Sequence, residues 1–210
     1  MDQRKPQPGE FYILRPDATR SGKGHGVEFV NEKRLLTPPR LILRPRAGGF
    51  PPLAEVPLLR HDSKLGVPPE DLEGGMSGYW LVSDRLKSVL TAVDPTGFAF
   101  QACDYRLADG RTGPAYSLCD VVRTLDALNE EASQVHVEIS DEFPEGKYYN
   151  LIGASVAFHE DRLANAHVFR TPYSGQFVFC DRIMRDAILD AGMGLESASR
   201  GVWLTDAYDI

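Results

Sequence analysis

The chain has 210 residues, 42% of them hydrophobic and 25% charged, with a formal net charge of −7. That length fits one generous domain or two small ones, and it can bury a sizeable core without disulfide or metal staples. No apolar run is long enough to cross a membrane, and the N-terminal MDQRKPQPGE lacks the apolar stretch of a signal peptide.

Three widely spaced cysteines, Cys103, Cys119 and Cys180, are an odd number for a disulfide framework. Together with the missing export signal they imply reduced thiols in a cytoplasmic protein. Charge is spread unevenly. Residues 1–68 carry 12 Lys/Arg against 7 Asp/Glu, whereas residues 69–210 carry 11 against 23. The acidic excess is either a solvated surface or a face for a basic partner. Direct nucleic-acid binding is disfavoured, because phosphate contacts need clustered Lys and Arg.

In chain order, Phe11-Tyr12-Ile13-Leu14 reads as a strand closed by the turn Arg15-Pro16-Asp17. Ser21 to Gly26 resembles a phosphate loop only superficially. Gly24 stands where Ser or Thr is needed, Asp17 where Gly is needed, and no helix pattern follows, so it reads as a turn. Pro38 to Pro69 holds 8 of the 15 prolines, with Gly48-Gly49 in its middle. Proline offers no backbone N–H, so this segment should be an irregular arm laid over the surface rather than built into a sheet. Its apolar residues, among them Leu43, Phe50 and Leu59, should pack that arm on the main body.

Tyr79 to Leu90 and Phe177 to Leu189 share a pattern: an aromatic and β-branched run, a small residue, Asp-Arg, then an amphipathic stripe. Ser83 or Asp84, and Cys180 or Asp181, fall where a helix N-cap is wanted, and Gly97 and Gly192/Gly194 where each helix should stop. Two strand–helix units, 79–93 and 177–191, should therefore pack on one shared sheet. Between them, Phe98 to Ala102 alternates as a strand. Leu118, Val121, Val122, Leu125 and Leu128 keep helical spacing, and Val135, Val137 and Ile139 alternate again. Tyr148 to Phe158 reads as one strand or two, and Val202-Trp203-Leu204 as a closing strand. The expected fold is α+β with a mixed or antiparallel sheet, residues 1–70 forming an N-terminal strand and Pro-rich arm and residues 71–210 the core.

There is no CxxC pair and no HExxH, and His25, His61, His136, His159 and His167 lie too far apart for a metal signature, so no metal and no cofactor are expected. Gly75-Met76-Ser77-Gly78 is one residue short of a nucleophile elbow. A Cys119 pairing with His136 or His159 would need the fold to bring them together. The residues themselves leave open a binding protein, a cytoplasmic hydrolase with a Cys/His site and a non-enzymatic adaptor.

Several stretches resemble a family of immunity proteins of bacterial polymorphic toxin systems, the eleventh so numbered and formerly a domain of unknown function. They are Tyr79 to Ser83, Gly97 to Phe100, Tyr116 to Leu128, His167 to Arg170 and Phe177 to Asp181. The resemblance spans roughly residues 75–205, and its aromatic–Arg pair is Phe169-Arg170. It implies a cytoplasmic, non-enzymatic protein that binds and neutralises a cognate toxin, with no catalytic residues to transfer. If that toxin is a nuclease with a basic face, the contact should be acidic. The candidates are Glu130, Glu131, Asp141, Glu142 and Glu145, concentrated in 16 residues with one counter-charge, Lys147, just beyond.

Overall fold

A computed structural model describes residues 5–18 and 24–210; residues 21–23 of the glycine-rich turn at 21–26 lie outside them. The elements in order are β1 (Phe11–Pro16), β2 (Val27–Phe29), α1 (Glu32–Leu35), β3 (Leu58–His61), β4 (Leu72–Met76), β5 (Tyr79–Ser83) and α2 (Asp84–Val93). There follow β6 (Phe98–Ala102), β7 (Asp104–Arg106), β8 (Tyr116–Val121), β9 (Gln134–Ile139), β10 (Lys147–Ser155), α3 (Glu160–Leu163), β11 (Val168–Phe169), β12 (Phe179–Asp181), α4 (Arg182–Asp190) and β13 (Val202–Asp206). The fold is α+β and mostly sheet. The sheets run β11-β12-β1-β13, β4-β5-β8-β6, β2-β3-β7 and β10-β9. Among the described residues, pairing of these strands is antiparallel except between β3 and β7.

The side-chain period of two sorts the strands between three apolar cores. On β8, Tyr116 and Leu118 face a core with Leu43, Leu59, Tyr79 and Leu81, while Cys119 and Val121 face the opposite way, onto Val82, Leu86 and Phe98. On the other four-stranded sheet, Tyr12, Leu14, Val168 and Cys180 join that same middle core, and Ile13, Phe169 and Phe179 point into a third with Tyr149 and Leu151. The two four-stranded sheets thus sandwich the middle core. Leu86 and Leu90 of α2 and Met184 and Ile188 of α4 fill it.

Residues 79–93 and 177–191 were expected on one sheet. They are not: β5 lies in one four-stranded sheet and β12 in the other, and it is α2 and α4 that pack together. Their helix starts also differ by one residue. Ser83 caps α2, its Oγ accepting from the Leu86 N–H at 3.1 Å, whereas Asp181 caps α4, accepting from the Met184 N–H at 3.0 Å. Gly192 closes α4 at φ +71°, where the Met193 N–H reaches back to the Ile188 carbonyl, a pairing that favours glycine. Gly97 does not close α2, which ends at an Asp94 cap.

Two further expectations fail. Residues 118–128 are not a helix. Tyr116–Val121 is a central strand, buried at every position between β5 and β6, and a strand buried on both faces shows no alternation to separate it from helix. The Pro38–Pro69 segment is not excluded from sheet. Its proline-free run Leu58–His61 forms β3, held by the Asn31 side chain, which donates to the Val56 carbonyl and accepts from the Leu58 N–H.

Candidate functional site

The tip of the β4–β5 hairpin builds the site. Met76 pairs with Tyr79, so Ser77-Gly78 is a two-residue turn, and both residues have positive φ, as a type I′ turn demands. The near-elbow seen in the sequence is this turn. Ser77 Oγ accepts from the Leu43 N–H at 2.6 Å, and its carbonyl from the Arg44 N–H at 3.3 Å. A Cβ on Gly78 would sit 2.9 Å from that of Arg44, so only glycine lets the Pro-rich segment lie this close.

Arg44, so placed, donates from Nε to Oδ1 of Asp120 at 2.8 Å, and the Gly49 N–H donates to Oδ2 at 2.6 Å. Asp120 ends the inward face of β8 and is 1% exposed. A second guanidinium shares it: Arg170 Nη2 lies 3.6 Å from Oδ1. Arg170 is itself buried, donating from Nε to the Val121 carbonyl and from Nη1 to that of Gly175. Burial, then repulsion by Arg44, lowers its pKa, against the attraction of Asp120.

A cavity of about 320 Å³ opens beside these groups. Arg44, Arg46, Lys147 and Arg170 give it four cationic side chains, and Phe143, Pro144, Tyr148, Pro172 and Tyr173 supply apolar walls. Arg46 is 3.6 Å from Glu145, both largely exposed. Lys147 pairs with Glu130 and lies 4.0 Å above the Tyr173 ring. Glu130 also accepts from the Tyr149 hydroxyl at 2.6 Å; the hydrogen bonds from Lys147 and Tyr149 hold its carboxyl below the usual range.

All five acidic candidates are exposed, and two of them reach this cavity. Glu145 lines it, Glu130 contacts its lysine, Glu131 adjoins Glu130, and Asp141 and Glu142 lie on the β9–β10 turn, where Ser140 Oγ accepts from the Glu142 N–H. Ile139, at the end of β9 beside that turn, is 85% exposed. Reading from the sequence missed the basic cavity. Its signals were the basic excess of residues 1–68, which contributes Arg44 and Arg46, and the Phe169-Arg170 pair.

The Cys119–histidine pairing does not form. Cys119 is buried in the middle core, His136 is on β9 and His159 caps α3, and among the described residues no hydrogen bond joins a cysteine to a histidine. Burial first, and Asp120 second, push the Cys119 thiol well above its ordinary pKa, the reverse of what a nucleophile needs. Among the described residues no group of three His, Cys, Asp or Glu side chains is placed to hold a metal ion. Among the described residues no helix is long and apolar enough to cross a membrane.

Residues 10–209 match the immunity protein family Imm11. The chain belongs to that family. The match takes in β1 and the Pro-rich segment, so Arg44, Asp120 and Arg170 all lie within the Imm11 region. No curated protein matched the chain. Membership in Imm11 implies a role in toxin immunity and a toxin as partner.

Proposed function

We propose that this Imm11 protein binds and neutralises a cognate toxin, an antibacterial effector, by direct protein–protein contact in the cytoplasm and without catalysis. The observation that carries the reading is the family match over residues 10–209. Glu130, Glu131, Asp141, Glu142 and Glu145 form the contact, with exposed Ile139 as an apolar anchor beside them. A charged rim around such an anchor suits a partner with a basic face, such as a nuclease. Glu130 is tied to Lys147 and Tyr149, so it shapes this face as well as charging it.

The test pairs this chain with the protein encoded by the adjacent gene. Co-expression should abolish that protein's toxicity, and a pull-down should recover a complex. Reversing Glu131, Asp141, Glu142 and Glu145 to Lys, sparing Glu130, should weaken binding by more than about tenfold, since truncating one partner of a buried charge pair costs about 2–5 kcal/mol. Unchanged affinity and salt dependence in a folded variant would exclude the acidic segment. An adjacent product that is neither toxic nor bound would refute the reading itself.

A further inference from the structure

We propose that the cavity between the Arg44 segment and the β9–β10 turn is a binding site for a small aromatic oxyanion, an aryl phosphate or aryl carboxylate. This goes beyond toxin neutralisation and does not rest on it.

The first argument is charge. Arg44 and Arg170 share one carboxylate, that of Asp120, while Lys147 is matched by Glu130 and Arg46 by Glu145. One positive charge in the cavity is therefore uncompensated, in a half-enclosed place where water screens it poorly. Burial is the larger cause of the lowered pKa of Arg170, and only the repulsion by Arg44 that adds to it reflects this excess. An incoming anion relieves it.

The second argument is donors. Among the described residues, the side-chain hydrogen bond of Arg44 runs through Nε alone, so Nη1 and Nη2 remain to bond a ligand. Two guanidinium nitrogens on one fork match two oxygens of a carboxylate or phosphate. The fork is held in advance: Ser77 fixes the Arg44 backbone, Asp120 its Nε, and two backbone carbonyls fix Arg170 behind it. Little ordering is left for the ligand to impose.

The third argument is shape. A volume of about 320 Å³ exceeds what a bare phosphate fills and sits at the small end of ligand pockets. Phe143 and Tyr148 stack with centroids 5.5 Å apart, and with Pro144 and Pro172 they form flat apolar walls. These walls suit the body of the ligand, and the arginines its charged end.

Phenyl phosphate, benzoate, inorganic phosphate and phenol, titrated into the full chain and followed by amide chemical shifts, test the site. Phenyl phosphate or benzoate should shift resonances of residues 143–148 and 170–175 saturably, the tighter of the two fixing the oxyanion. Inorganic phosphate and phenol should each bind at least about tenfold more weakly, since each lacks one half of the match. Arg44→Gln should cost about tenfold, the worth of a charge-assisted hydrogen bond. Arg46→Gln, at an exposed position that does not endanger folding, should cost a smaller but measurable factor. No saturable shift with either aromatic anion, or shifts unaltered in folded Arg46→Gln and Arg44→Gln variants, would overturn the proposal.

Discussion

Arg44 donates a 2.8 Å hydrogen bond to Asp120, joining a proline-rich segment to the central strand of a sheet 76 positions later in the chain. The basic excess of residues 1–68 thus meets part of the acidic excess of residues 69–210 inside the molecule. Arg46 and Glu145 repeat the pattern at the surface. The charge asymmetry is partly an internal complementarity.

Asp120→Asn keeps the shape of the side chain and removes its charge. Arg44 and Arg170 are then left facing each other without a counter-ion. Breaking a buried pair in this way costs about 3–5 kcal/mol. Urea unfolding should show the midpoint falling accordingly, and a loss below about 1 kcal/mol would mean that the two guanidiniums find other partners.

Acid should weaken the protein through Asp94. Burial alone would raise this carboxyl, but hydrogen bonds from Arg123 and from the His167 and Val168 N–H groups outweigh it and hold its pKa below the ordinary 3.8. A carboxyl depressed in the folded state adds stability that is fully present above its unfolded pKa and is lost as pH falls through the folded one. Stability should fall from about pH 5 downward, more steeply than in Asp94→Asn, which is already destabilised at neutral pH. Parallel pH profiles of the two proteins would contradict this.

The thiols should resist modification. Burial pushes Cys103 up to about 12 and raises Cys119 and Cys180 as well. A disulfide reagent at pH 8 should react with buried Cys119 and Cys180 only as fast as the chain opens and with half-buried Cys103 slowly for want of thiolate, and adding urea should release the full count. Rapid reaction of Cys119 in the native protein would reopen a nucleophilic role for it.

Removing the helix caps should have unequal effects. Ser83→Ala and Asp181→Ala each forfeit an N-cap, worth about 1 kcal/mol. Each cap has a second partner. Asp181 also bonds His167 Nδ1 at 2.8 Å, where both side chains are partly exposed. Ser83 instead donates to buried Asp71 at 2.5 Å, which Arg200 holds from the other side, so Ser83→Ala leaves a buried acceptor short of a donor and should lower the melting temperature more. An equal or reversed order of the two melting temperatures would show that this bridge adds nothing.

What the residues determined by themselves is local. The Ser83 and Asp181 caps lie on the named candidates, and Gly192 closes its helix, because a cap or turn is decided by a few neighbouring side chains and backbone angles. The alternations at Phe98–Ala102 and Val135–Ile139 became strands because a sheet with one wetter face imprints its period on the sequence. Tertiary structure decided the rest. Residues 118–128 kept helical spacing, yet Tyr116–Val121 is a strand, since burial on both faces erases the period that would tell the two apart. Two similar strand–helix stretches went to two different sheets because β1 and β11 pair with β12 while β4 and β8 pair with β5, and such long-range choices leave no local trace. The cavity is the extreme case: Arg44, Asp120, Lys147 and Arg170 come from four separate chain segments and meet only in the folded chain, the first of them placed by the Ser77-Gly78 turn.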